Sequence, residues 1–240
     1  MCKILTFGDC TNQQKAVILQ QILKQMKDSK KMKDLSIGEF TRAADKYESK
    51  NAGVYNICKK DYPEILAEIE KEPFQTLLDA GCGTAPMLSH LTERFPEAHF
   101  TGIDLTPKMI EVAKAKKLPN TDFVCGDCEN LPFADDSFDV IICSQSFHHY
   151  PNPSAFFANV YRCLRPNGRF ILRDMLMDNS VLHWFVNHIE LPTLNLLGYG
   201  DVHCYNRTEI SELSRQAGLS LEICEKRKGL KLHAVMRKTK

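Results

Sequence analysis

Between residues 78 and 86 the chain reads Leu78-Asp79-Ala80-Gly81-Cys82-Gly83-Thr84-Ala85-Pro86, small residues flanked by a carboxylate and a proline. Glycines at 81 and 83 permit a tight turn and let backbone approach a ligand, while Pro86 suits the first turn of a following helix. A strand, turn and helix joined this way place a ligand above the strand end, although the same glycines would also serve a turn with no ligand. Asp79 discriminates between ligands, because beside the turn it repels pyrophosphate and attracts positive charge. A dinucleotide fingerprint wants a small residue at its sixth position, which counted from Gly81 is Pro86. A cationic cofactor therefore fits better than a nicotinamide dinucleotide. The pair in Cys125-Gly126-Asp127-Cys128 has redox or zinc spacing, but no second Cys/His pair accompanies it and no metal is assigned.

Such residues need a frame, and the periodicity supplies one. Strands are predicted over 76–79, 99–104, 122–125, 138–144 and 169–174, with helices over 86–95 and 107–117 and another carrying Phe157, Val160, Tyr161 and Leu164. That alternation means a parallel sheet with helices on both faces. A helix over 208–217 stops at Gly218, and strands near 221–225 and 232–237 are too close for a parallel crossover. The expected fold is α/β: a doubly wound, Rossmann-like, mostly parallel seven-stranded sheet with an antiparallel C-terminal strand. Residues 1–31 read as a loosely attached N-terminal extension and 32–240 as the domain proper. Within it, 36–72 form a helical cap and 175–206 an insertion or lid.

The chain has 240 residues, 43% hydrophobic and 25% charged, ordinary values for a globular protein able to bury a core. Lys plus Arg number 31 against 30 Asp plus Glu, a net charge of +1, so no nucleic-acid or other polyanion partner is expected. No apolar run approaches the roughly 20 residues of a membrane span, nor the ~7–15 of a secretory signal near Met1, and a cytoplasmic location is expected. The ten cysteines are scattered and read mostly as reduced, small apolar residues.

The string Asp79-x-Gly81-x-Gly83 resembles the first motif of class I S-adenosylmethionine-dependent methyltransferases, whose cofactor carries an ammonium and a sulfonium. The family pattern has a third glycine where this chain has Ala85, a departure that ordinary helix-entry dihedrals would accommodate. The resemblance is dense from Thr76 to Met175 and does not reach Met1–Lys31. It implies cofactor contacts from Asp79, Gly81, Cys82 and Gly83. Asp104, about 20 residues on, would take the ribose hydroxyls with Leu105 beside the adenine. Asp127 would accept from the adenine amine and the Cys128 N–H donate to a ring nitrogen. Ser144, Gln145 and Ser146 would line the methionine end. His148, His149 and Tyr150 would stand where an acceptor enters.

The nearest kin by these motifs act on small molecules, as in ubiquinone and menaquinone biosynthesis. The implied function is methyl transfer from S-adenosylmethionine to a small-molecule acceptor by in-line displacement. His148 is the candidate general base, its ordinary pKa range being suited to a hydroxyl or acidic carbon. Arg173, His203, Tyr205, Tyr47 and Tyr55 are weaker pocket candidates, and Arg173 would equally serve by pairing with a carboxylate. The apolar content of 175–206 suits a modestly apolar acceptor or a homodimer interface, and the cysteines raise arsenite as an acceptor. A non-catalytic cofactor-binding partner and a nicotinamide oxidoreductase are the alternatives.

Overall fold

The computed structural model describes residues 12–49, 56 and 58–239, with side chains from residue 26 onward. Tyr55 lies outside the described residues. Helix α1 (Asn12–Ala43) leads, followed by α2 (Tyr62–Ile69), β1 (Thr76–Ala80), α3 (Pro86–Arg94), β2 (His99–Asp104), α4 (Pro107–Ala115), β3 (Thr121–Cys125) and β4 (Phe138–Ser144). Helix α5 (Pro153–Cys163), the long strand β5 (Leu164–Met175), the short helices α6 (Ser180–Phe185) and α7 (Leu191–Leu196), α8 (Arg207–Ala217), β6 (Leu219–Arg227) and β7 (Lys231–Lys238) complete it.

The seven strands lie in the order β3-β2-β1-β4-β5-β7-β6. Strands β1 to β5 pair in parallel, and β7 slots antiparallel between β5 and β6. The short connection around Gly229, itself at φ 82°, explains the antiparallel hairpin. Strand periodicity sorts side chains onto two faces: Leu77, Val140, Ile142 and Ile171 pack on one, Leu78, Ile141, Cys143 and Leu172 on the other. Both faces are covered, so β1 and β4 read as nearly continuous apolar runs. Each fully buried Leu, Ile or Phe contributes roughly 1.5–3 kcal/mol. Strands β2 and β4 flank β1 and are reached by connections in opposite directions, which opens a crevice at their carboxyl ends.

Three expectations change. Helix α1 runs unbroken across the expected boundary between residues 31 and 32. The Lys27–Lys31 run that reads as a break is mostly the exposed face of this helix, and no Pro or Gly interrupts it before Gly38. Second, β5 begins at Leu164 and not at the expected residue 169, so Pro166-Asn167-Gly168 lies within the strand, with a register shift opposite Phe138 and Val140. Third, Ala85 stands at φ 62°, ψ 42° as the cap of α3, not in ordinary helix-entry geometry. A left-handed alanine costs roughly 1–2 kcal/mol, which the family's glycine would avoid. The eight described cysteines are free, and among the described residues no helix is long and apolar enough to cross a membrane.

Candidate active site

The turn after β1 is tied to the end of β2, since Gly81 N and Cys82 N both donate to the Ile103 carbonyl, at 2.8 and 3.0 Å. Gly81 has φ +83°, and a Cβ there would lie 2.0 Å from Ser146 Oγ, so only glycine fits. Gly83 N donates to Asp104 Oδ2 at 2.9 Å, and Thr106 N donates to Oδ1 at 2.8 Å. Those bonds fix the Asp104 carboxylate at the crevice edge and leave each oxygen further acceptor capacity.

Two adjoining cavities occupy the strand ends. Asp79, Gly81, Cys82, Gly83, Asp104 and Ser144 line the first, together with Phe40, Tyr47, Tyr62, Gln145, Ser146 and His149. Leu105, Asp127 and Cys128 line the second with Lys33, Ser36, Phe40 and Tyr150, and Gly81, Asp104, Ser146 and His149 border both. The residues expected to contact a cofactor therefore all line these two adjoining cavities.

Asp79 is 3% exposed and has no hydrogen bond or ion pair among the described residues. Burial, and secondarily the Asp104 charge, push its pKa up to about 7. Such a carboxylate is short of a cation. Ser144 Oγ is likewise buried without a hydrogen-bond partner. A lone carboxylate, an orphaned hydroxyl and an anchored second carboxylate fit the ammonium, amino-acid and ribose parts of S-adenosylmethionine. Asp127 is more committed: it caps the short helical turn Cys128–Asn130 through Glu129 N at 2.9 Å and accepts from Lys33 Nζ at 2.7 Å. An adenine amine would share this carboxylate with Lys33.

The adjacent histidines differ sharply. His148 Nδ1 lies 2.7 Å from Asp174 Oδ1, and its backbone N donates to Asp174 Oδ2 at 3.2 Å. Burial would lower its pKa, but Asp174, with Asp201 and Glu39, holds it up to about 9. His148 is thus an imidazolium at neutral pH, and it does not border either cavity. His149 borders both, packs edge-on against Phe40 at 5.1 Å, and has its Nδ1 buried without a hydrogen bond, 3.4 Å from Asp201 Oδ1. Burial, then the His148 charge, push its pKa down to about 3, so it is neutral. His148, the candidate general base, and His149, which borders the cavities, are neighbours on one short helical turn, which places them on different sides.

Arg173 pairs rather than lining the pocket. Fully buried, it donates to Asp61 at 2.7 Å and Glu64 at 2.9 Å, while Lys231 and Gln145 also reach Asp61, at 2.6 and 2.9 Å. That network holds Gln145 at φ 52° on the crevice wall. Tyr47 lines the first cavity, whereas Tyr205 stacks on Phe147 at 4.4 Å and His203 bonds to Glu209 at 2.9 Å. Sequence reasoning missed Lys33, Ser36 and Phe40, whose one signal was a helical spacing shared by any amphipathic helix.

Residues 78–172 match a family model described as a methyltransferase domain. The phthiotriol/phenolphthiotriol dimycocerosates methyltransferase of Mycobacterium tuberculosis is 41% identical over 121 residues, 50% of this chain and 45% of that protein. This chain thus matches less than half the length of that curated relative. The demethylmenaquinone methyltransferase of Thermotoga maritima is 29% identical over 184 residues, 73% of this chain and 79% of that protein. Among solved structures, the complex of the Haloferax volcanii Trm112 methyltransferase activator with a methyltransferase gives a TM-score of 0.70 at 21% identity. It covers 84% of this chain and 98% of the matched one, a likeness of fold.

Proposed function

We propose that this chain, which belongs through residues 78–172 to the class I S-adenosylmethionine-dependent methyltransferase family, methylates an apolar small molecule. The observation that carries the reading is one crevice holding an unpaired buried carboxylate, an anchored one and an orphaned hydroxyl beside a turn open only to glycine. The cofactor, when bound, supplies an electrophilic methyl on a sulfonium. The chain's own task is placement and exclusion of water. A well-aligned pair can gain roughly 7–11 kcal/mol over the free encounter.

In this reading Asp79 holds the ammonium, Ser144 the amino-acid end, Asp104 the ribose, and Asp127 with Cys128 the adenine edge. His149 is the neutral ring on the crevice wall and orients the acceptor's hydroxyl or acidic C–H toward the cofactor's methyl. His148 is a positioning residue: burial keeps His149 neutral, and the His148 charge, fixed by Asp174, adds to that.

An apolar acceptor is supported by Trp184, Phe185, Leu196 and Leu197, large apolar side chains exposed on the insertion. The names of the two curated relatives, a phthiotriol lipid and a demethylmenaquinone enzyme, point the same way. The test incubates the full chain with tritiated-methyl cofactor and cell extract divided into lipid and aqueous fractions. Label entering the lipid fraction, and a His149→Ala loss of about 100-fold in turnover with cofactor affinity held within about 3-fold, are expected. Calorimetric binding without transfer to either fraction would make the chain a non-catalytic partner. Absence of binding would remove the cofactor assignment.

A further inference from the structure

His183 of α6, His203 of the segment that follows α7, and Glu209 in the first turn of α8 come from three separate parts of the chain. They nevertheless turn one ligand atom each toward a common point, all within 4.8 Å of one another. Both histidines present Nε2 to the same carboxylate: His183 Nε2 is 3.1 Å from Oε2 and His203 Nε2 is 2.9 Å from Oε1. With metal–nitrogen and metal–oxygen bonds of about 2.0–2.2 Å, the edges of a tetrahedral site are roughly 3.3–3.5 Å. The histidine–carboxylate separations need open by only a few tenths of an ångström to admit an ion.

The carboxylate is held from behind: the Asn206 N–H donates to Glu209 Oε2 at 2.9 Å. That N–H also orients the carboxylate from the outer shell, the usual support for a metal ligand. His203 and Glu209 border an open cleft with Tyr150, Thr208 and Leu213, so an ion has an entry path and solvent can complete its coordination.

We infer that His183, His203 and Glu209 form a site for a divalent transition ion of the zinc class, clamping the insertion to α8. Two imidazoles and a carboxylate, with one open position, form a donor set that suits Zn2+ and Co2+ and gives Mg2+ and Ca2+ little. The clamp has a mechanical reach, because Val202 N and His203 N donate to the His148 carbonyl at 2.8 and 3.2 Å. Fixing His203 therefore fixes the back of the wall that carries His149. The site is separate from His148, His149 and Asp201, which also cluster. There His148 Nδ1 is engaged by Asp174, and its imidazolium opposes a cation.

The test titrates Co2+ into the full, thiol-reduced chain and follows the visible absorption of the ion. One equivalent should bind with a nitrogen- and oxygen-ligated spectrum, be displaced by Zn2+, and raise the melting temperature by several degrees. His183→Gln and His203→Gln should each weaken binding at least about tenfold, while His149→Ala and Cys125→Ser leave it unchanged. In the unsubstituted protein, Zn2+ should protect His183 and His203 from diethylpyrocarbonate, read by peptide mass spectrometry, so the outcome does not depend on a variant's folding. Absence of binding, thiolate-to-cobalt charge transfer at one equivalent, or modification of both histidines at the same rate with and without Zn2+ would overturn the site.

Discussion

The floor and the roof of the crevice are built by different means. The floor is the ends of β1, β2 and β4, where backbone bonds from Gly81, Cys82 and Gly83 tie the turn to β2 and leave little latitude. The roof is α1 and the insertion, and α1 is joined to the floor and to the insertion by single side-chain contacts. Lys33 reaches Asp127 and Glu129, Ser36 reaches the Gly200 carbonyl at 3.2 Å, Glu39 accepts from Gly200 N at 3.1 Å, and Phe40 meets His149. A floor that must present fixed polar groups is specified by the backbone. A roof that must admit and release ligands is made of contacts that can be broken one at a time. Substitutions in the floor should act on whether ligand binds, and substitutions in the roof on how fast it comes and goes.

The largest effect should follow Gly81→Ala. The added methyl would stand 2.0 Å from Ser146 Oγ at a φ of +83°, combining overpacking with left-handed backbone, together about 2–5 kcal/mol. Cofactor binding should fall more than about 100-fold by calorimetry, with a lower melting temperature. Normal binding by the Gly81→Ala variant would mean the floor can rearrange as easily as the roof.

Asp79→Asn should separate stability from binding. The folded carboxylate has its pKa raised to about 7 from 3.8, so the stability it contributes is fully present below about pH 4 and is lost as pH rises through 7. At pH 8 the asparagine variant should therefore melt higher than the parent. It should also bind S-adenosylmethionine roughly 10–100-fold more weakly, the worth of a hydrogen bond to a charged group. In the parent, affinity should rise from pH 6 to 8 as Asp79 ionises, and in the variant that slope should vanish. A variant that loses both stability and binding would make Asp79 a structural residue.

The floor's chemistry was legible because its residues are contiguous. Asp79, Gly81 and Gly83 fall within five positions, at the end of the continuously buried run of β1. The roof was illegible because its contacts are long-range: Lys33 meets Asp127 across 94 positions and Ser36 meets Gly200 across 164. No local pattern encodes such pairings. The same applies to the histidines. Their types and position were readable, but which one faces the crevice depends on Asp174 and Asp201, brought in by β5 and the insertion.

His148→Gln tests the wall between floor and roof. Its folded pKa, raised to about 9 from 6.5, means a contribution fully present below about pH 6.5 that disappears as pH rises through 9. Parent stability should drop by about 1.5–3 kcal/mol more than the variant's between pH 6 and 10, measured by urea unfolding. Turnover should fall less than in His149→Ala, because the glutamine still fills space behind His149 and lacks only the charge. Equal losses in the two variants would place both rings at the acceptor.

The smallest effect, and the one most specific to the roof, belongs to Lys33→Met. Lys33 is a part-exposed cation on α1 holding Asp127 at 2.7 Å, and pairs of that kind contribute about 0–1 kcal/mol. Its removal frees the Asp127 carboxylate for the adenine amine while loosening α1 from the floor, so the two consequences oppose each other in affinity. They add in kinetics. Stopped-flow binding of a fluorescent cofactor analogue should show association and dissociation both accelerated, with Kd changed less than about threefold. Unchanged rates with a tenfold weaker Kd would instead assign Lys33 to the floor, as a group that touches the ligand directly, and the division between a fixed floor and a breakable roof would fail at this residue.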